Sequence, residues 1–220
     1  DPAAADTTVS DDSDPTTLDL AATASVAEGG SIVYTATLSN AAQTPLTVTL
    51  STGQTIAIAA GATSGSVTIA APAEDVYVDA GSVSRSITAT SGGNFENLQL
   101  GTTSATTAVS DTIDATTVSI TGSSTVVEGA TASYTVSLTS PAQTAVTVNL
   151  TYSGTAANGA DFTGVASVTI AAGASSATYN IATLDDLIDE VAAESFTVTV
   201  ASATGGNFEN LVISGTNNSV

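Results

Sequence analysis

Apolar residues recur at every second position in short bursts along this chain, with Gly, Ser, Thr, Asn and Ala turns between them, and the whole succession runs twice. Leu18 and Leu20 match Val118 and Ile120; Tyr34, Ala36 and Leu38 match Tyr134, Val136 and Leu138; Leu46, Val48 and Leu50 match Val146, Val148 and Leu150. Further bursts follow at Ile56 and Ile58 (Val168 and Ile170), at Val67 and Ile69 (Tyr179 and Ile181), and at Phe196, Val198 and Val200. A closing strand comes after a Gly-Gly-Asn-Phe-Glu-Asn-Leu motif at 92–98 and 205–211. Period-2 alternation of this length reads as half-buried strands, and no helical period competes with it. Seven short strands per repeat predict an all-β chain: two tandem antiparallel β-sandwiches of the Ig-like kind, in an extended rod.

The repeat sets the domain boundaries. Residues 1–10 align with 101–110 and are expected to be the tail of a preceding repeat; residues 11–112 form the first sandwich and 113–220 the second. Each is large enough for a modest core. Residue 1 is Asp and no leader pattern precedes it, so the chain reads as a piece of something longer. Phe95 and Phe208 fit as core plugs at the corner before the last strand. Arg85 falls where the second repeat has Val198, on the inward face; it is open to a salt bridge with the acidic loop or to an edge position.

Charge narrows the chemistry. Twenty-one acidic residues stand against one base, giving a net charge of -20, with no His and no Cys. Nucleic acid and anionic membranes are disfavoured partners, and cations are favoured. Ser/His or Cys/His catalysis has no residues to run on, zinc and copper lack their usual ligands, and no phosphate loop is present. A carboxylate pair for glycoside hydrolysis would sit in polar loops with few aromatics to stack a sugar. No enzyme is expected. No apolar run is long enough to span a membrane.

Carboxylates gathered in loops suit calcium, a hard ion that takes six to eight oxygens in tolerant geometry. If strands alternate in direction, the loops after the first, third and fifth strands share one pole with the end of the seventh. Those loops carry Glu28, then Glu74, Asp75 and Asp79, in the first repeat, and Glu128, Asp161, Asp185, Asp186, Asp189, Glu190 and Glu194 in the second. Asp111 and Asp114 leave the same pole of the first repeat, and Asp11 and Asp14 are their counterparts before it. Repulsion among these groups argues for a bound cation. Solvated acidic loops are the plainer alternative.

At this point the residues resemble a known group. Glu128-Gly129, Gly159-Ala160-Asp161-Phe162 and Asp185-Asp186 with Glu190 and Glu194 resemble the Calx-β pattern of a calcium-binding sandwich. Asp75-Val76-Tyr77-Val78-Asp79-Ala80-Gly81, the Gly-Gly-Asn-Phe-Glu-Asn-Leu motif and Ser110-Asp111-Thr112-Ile113-Asp114 are similar to the tandem extender repeats of giant bacterial RTX adhesins, the LapA-like biofilm proteins. The resemblance implies type I secretion, a place on the bacterial cell surface, and a stalk that calcium stiffens at its joints to project adhesive domains. The expected partners are neighbouring repeats of the same chain, and a monomer is expected. The first repeat departs from the pattern by lacking an Asp-Phe loop matching Asp161-Phe162. A sugar- or surface-binding module and a calcium sensor are the alternatives; inward-facing Phe and Tyr count against the first.

Overall fold

The structure, a computed structural model, describes residues 7–10, 12–185 and 193–220. By contact the chain divides into two compact units, Asp1–Glu74 with Ala80–Ser110, and Asp75–Asp79 with Asp111–Val220. No helix among the described residues is long and apolar enough to cross a membrane.

The first unit runs β1 (Pro15–Ala22), β2 (Ser25–Ala27), β3 (Ser31–Leu38), β4 (Leu46–Leu50), β5 (Thr55–Ile58), β6 (Ser64–Ala70), β7 (Gly81–Gly92), β8 (Asn97–Leu100) and β9 (Ser104–Ser110). One sheet has the order β6-β3-β1-β8, the other β2-β9-β7-β4-β5. Leu18, Leu20, Tyr34 and Leu38 from the first sheet are buried with Leu46, Val48, Leu50, Ile56 and Ile58 from the second. The alternating positions of the sequence are therefore the two inner faces of a sandwich.

At both ends of the first unit the chain steps from one sheet to the other. Thr23 N–H donates to Val33 O in one sheet, and Ala24 O accepts from Ala108 N–H in the other. The chain steps across at that point, so β2 continues in the other sheet beyond the expected first strand, and the expected closing strand is β8 plus β9. The expected ladders are antiparallel except where these ends meet: β1 pairs β8, and β2 pairs β9, in parallel. With an odd number of up-and-down strands, first and last run the same way, so side-by-side pairing must be parallel.

The second unit repeats this plan with β10 (Ala115–Gly122), β11 (Thr131–Leu138), β12 (Val146–Gly154), β13 (Phe162–Thr163), β14 (Ser167–Ile170), β15 (Ser176–Thr183), β16 (Phe196–Gly205) and β17 (Asn210–Ile213). Its sheets are β13-β15-β11-β10-β17 and β14-β12-β16, and β10 pairs β17 in parallel. Residues near the end complete the second sheet, Val198 N–H donating to Val220 O at 2.7 Å and Val220 N–H returning to Val198 O at 3.0 Å. A register shift falls at Thr49/Leu50 and again at Asn149/Leu150, so both units carry the same bulge. Tyr134, Phe162 and Phe196 pack in the interior, with the Phe162 and Phe196 rings stacked at 4.3 Å. Burial, then the neighbouring Tyr152 and Tyr134 hydroxyls, push the Tyr179 phenol well above its ordinary range.

The segment 75–79 precedes β7 in sequence but belongs by contact to the second unit. Asp75 Oδ1 accepts from Tyr77 N–H at 2.8 Å, a local turn that extends the chain behind it. The Tyr77 ring stacks on Phe208 at 5.5 Å, and its hydroxyl donates to Pro141 O at 2.6 Å. Backbone bonds flank the ring: Val78 N–H to Asn207 O at 3.1 Å, and Glu209 N–H to Val76 O at 3.1 Å. Val76-Tyr77-Val78 thus straps the Gly206–Glu209 corner, and Phe208 is 8% exposed beneath it. Arg85 is half-buried on the inward side of β7, and its Nη1 donates to Ser84 O at 2.8 Å.

Candidate metal centre

Parallel pairing places the carboxylates of the second unit. The β10·β17 ladder begins with Ala115 opposite Asn210, so the residues just before them, Asp114 and Glu209, are neighbours. Asp114 N–H donates to Glu209 Oε2 at 2.7 Å. The Glu209 carboxylate has an oxygen within 4.8 Å of one on Asp111 and, likewise, of one on Asp114. Two oxygens on one calcium ion, each about 2.3–2.6 Å from it, are at most about 5 Å apart, so the spacing of each pair, Asp111 with Glu209 and Asp114 with Glu209, fits a shared ion. Asp111 Oδ1 and Glu209 Oε1 are buried and have no hydrogen-bond partner among the described residues. Buried carboxylate oxygens without a donor are costly unless a cation satisfies them.

The first unit contains the same construction. Pro15 opposes Asn97 in the β1·β8 ladder, and Asp14 N–H donates to Glu96 Oε2 at 2.9 Å. Asp11 lies outside the described residues. Glu96 and Glu209 are the site residues that strand reasoning passed over. Their signal was in plain sight: they are the Glu of the recurring Gly-Gly-Asn-Phe-Glu-Asn-Leu motif, one position before the strand that pairs with the repeat's entrance.

The loop pole of each unit is also observed. In the first, Glu28 is 6% exposed, Glu28 N–H donates to Ser110 O at 3.0 Å, and Gly29 N–H donates to Pro72 O at 2.7 Å. Gly29, at φ +67°, lies against Glu74, where a Cβ would stand 3.6 Å from the Glu74 Cβ. Asp75 and Asp79 do not join a carboxylate group among the described residues. Asp75 instead accepts from Tyr77 N–H, and Asp79 is exposed.

In the second unit, Phe162 is 1% exposed and anchors the loop inserted after β12. Asp161 Oδ2 caps that loop by accepting from Ala157 N–H at 2.6 Å, and Asp161 O accepts from Leu184 N–H at 2.9 Å. Asp185 lies beside Gly129, where a Cβ would come within 3.2 Å of the Asp185 Cβ. Partial desolvation, then Asp161 by charge and hydrogen bond, then the charge of Glu128, push the Glu194 carboxyl above its ordinary value. Glu128, Asp161, Asp185 and Glu194 thus share one end of the sandwich, but no three of them bring carboxylate oxygens within 4.8 Å of one another among the described residues. Asp186, Asp189 and Glu190 lie outside those residues.

Two tandem sandwiches whose carboxylates gather at strand entrances and at one loop pole define a class of repeating, acidic β-sandwich modules. Model matches to the LapA domain cover residues 14–112 and 114–220, and the chain belongs to that family. A search of curated proteins returned no match. Among solved structures, the crystal structure of CBD12 from CALX1.2 is similar at 14% identity and a TM-score of 0.37, over 85% of this chain and 80% of the other. That of the calcium binding domain CBD12 of CALX1.1 is similar at 15% identity and 0.34, over 84% and 81%.

Proposed function

We propose that these repeats are calcium-stiffened spacers of an extracellular, cell-surface adhesin. Calcium held by Asp111, Asp114 and Glu209 fixes the chain as it enters the second sandwich, and Asp11, Asp14 and Glu96 serve the same purpose at the first. Glu28 is the further ligand that the sequence offers from the first repeat, and Glu128, Asp161, Asp185, Asp186, Glu190 and Glu194 offer a second group of sites. The role is mechanical rather than catalytic, and the distal domains of a longer protein carry the adhesion that serves biofilm growth.

The observation that supports this reading most is the pair of buried, donor-free carboxylate oxygens on Asp111 and Glu209, two residues whose carboxylates come close enough to share one ion. Membership of the LapA domain family supports the adhesin context. Calcium is the fitting ion because the donor set is all oxygen and two of its members lie on an irregular linker, which tolerant coordination accepts.

Calorimetry with calcium and small-angle scattering with and without chelator test the proposal together. Dissociation constants of about 10⁻⁴–10⁻³ M suit a spacer working in extracellular calcium, whereas micromolar binding would point to a sensor. Chelation should shorten the maximum dimension or raise flexibility, and Asp111→Ala with Asp114→Ala should do the same in calcium without unfolding either unit. Scattering that ignores both chelator and substitutions would sink the stiffening idea.

A further inference from the structure

The corner strapped by Val76-Tyr77-Val78 in the second unit has a counterpart in the first that carries no strap among the described residues. The two corners are built alike. Asn207 and Asn94 both take left-handed backbone, at φ 60° and 52°. Asn207 Nδ2 donates to Gln143 Oε1 at 2.7 Å, and Asn94 Nδ2 donates to Gln43 Oε1 at 2.7 Å. Gln143 N–H reaches Gly206 O at 3.0 Å, and Gln43 N–H reaches Gly93 O at 3.1 Å. What differs is the cover. Phe208 is buried under Tyr77, while Phe95 is only half-buried and lines an open cleft of about 440 Å³ with Asn40, Ala41, Gln43 and Glu96.

Each contact that seats the strap has its receiving group in this cleft. Phe95 offers the ring face that Phe208 gives to Tyr77. Ala41, which lines the cleft, is the counterpart in the repeat of Pro141, whose O accepts the Tyr77 hydroxyl. Asn94 O matches the acceptor of Val78 N–H, and the Glu96 N–H matches the Glu209 donor to Val76 O. Among the described residues the Glu96 N–H has no counterpart of that Val76 acceptor. A half-buried aromatic ring flanked by an unused backbone donor and acceptors is the receiving half of a short strand addition.

We propose that this cleft of the first unit binds the Val-Tyr-Val strap of another repeat of the same kind. The occupant is an extended segment with one tyrosine between two β-branched residues, as in Asp75–Asp79. Its ring covers Phe95, its hydroxyl meets Ala41 O, and its backbone brackets Asn94 and Glu96. The inference is independent of calcium, since no carboxylate of the candidate metal centre makes these contacts. It gives the array a second, sequence-readable fastening, in which a repeat that carries Val-Tyr-Val supplies the strap and another offers the corner.

The test is a longer chain in which a second copy of residues 14–110 replaces residues 1–10, so that Ser110 of the added copy meets Asp11 as Ser110 meets Asp111 in the natural chain. Only the segment from Asp11 onward is isotope-labelled, by segmental ligation, and amide exchange is followed by NMR in millimolar calcium. The added repeat should slow exchange of the Glu96 amide about tenfold or more, and Tyr77→Ala in the added copy alone should restore it. Exchange at Glu96 that is unchanged by the added repeat overturns the proposal. So does protection that survives Tyr77→Ala, because another occupant would then be responsible.

Discussion

Glu194 is a carboxylate held among others, and its titration reports how closely they stand. Desolvation, Asp161 and Glu128 raise it above the ordinary 4.5. Such a group binds its proton more tightly folded than unfolded. Its contribution to stability is therefore full below the unfolded value and lost as pH rises through the folded one. In chelator, the second unit should gain stability on acidification from neutral pH towards the ordinary carboxylate range. Asp161→Asn should lower the Glu194 midpoint, read by carboxyl-carbon NMR, and flatten that gain. Glu209 tests the other group. Glu209→Gln removes one charge from the Asp111 and Asp114 set while keeping the shape, and calorimetry should show calcium binding weakened by roughly tenfold or more.

At the scale of elements, the strap and its corner set local stability. Tyr77→Ala removes a ring stack, a hydroxyl bond and the cover of Phe208, and should destabilise the second unit by about 2–3 kcal/mol in urea unfolding. Gly205 sits at φ +101°, and a Cβ there would collide with the Ala145 carbonyl oxygen. Gly205→Ala should cost at least about 2 kcal/mol and loosen the β12·β16 ladder, visible as faster amide exchange at Val146 and Thr204. The strands themselves were legible because the inner-face residues of β1, β3, β4 and β5 alternate with outward ones that are mostly Thr, Ser or Asp. The step of the chain between sheets at Thr23–Ala24 was not, since crossing is decided by which sheet accepts the next backbone bond, and side-chain alternation continues through it. Which loops share a pole was legible from strand direction alone. Glu209 was hidden because its role comes from a parallel ladder joining positions 95 residues apart. The strap was hidden because Asp75 and Asp79 drew attention to their charge, while Tyr77 between them makes the contact.

For the whole molecule, a net charge of -20 with a single base leaves repulsion to be offset from outside. Raising NaCl from about 0.01 M to 0.15 M, which shortens the screening length from roughly 30 Å to 8 Å, should raise the melting temperature of the chelated chain. Calcium at equal ionic strength should raise it further. The parallel end ladders carry one more consequence. In the first unit the chain arrives along β1 and departs along β9, and the pairs from Pro15↔Asn97 to Leu18↔Leu100, then Ser25↔Ala108 to Ala27↔Ser110, tie arriving chain to departing chain. Tension between the two ends of such a sandwich pulls along these ladders, so their bonds are sheared together rather than peeled one at a time. The load a unit withstands is then set by a few backbone bonds at its entrance and exit, and hardly at all by the size of its core.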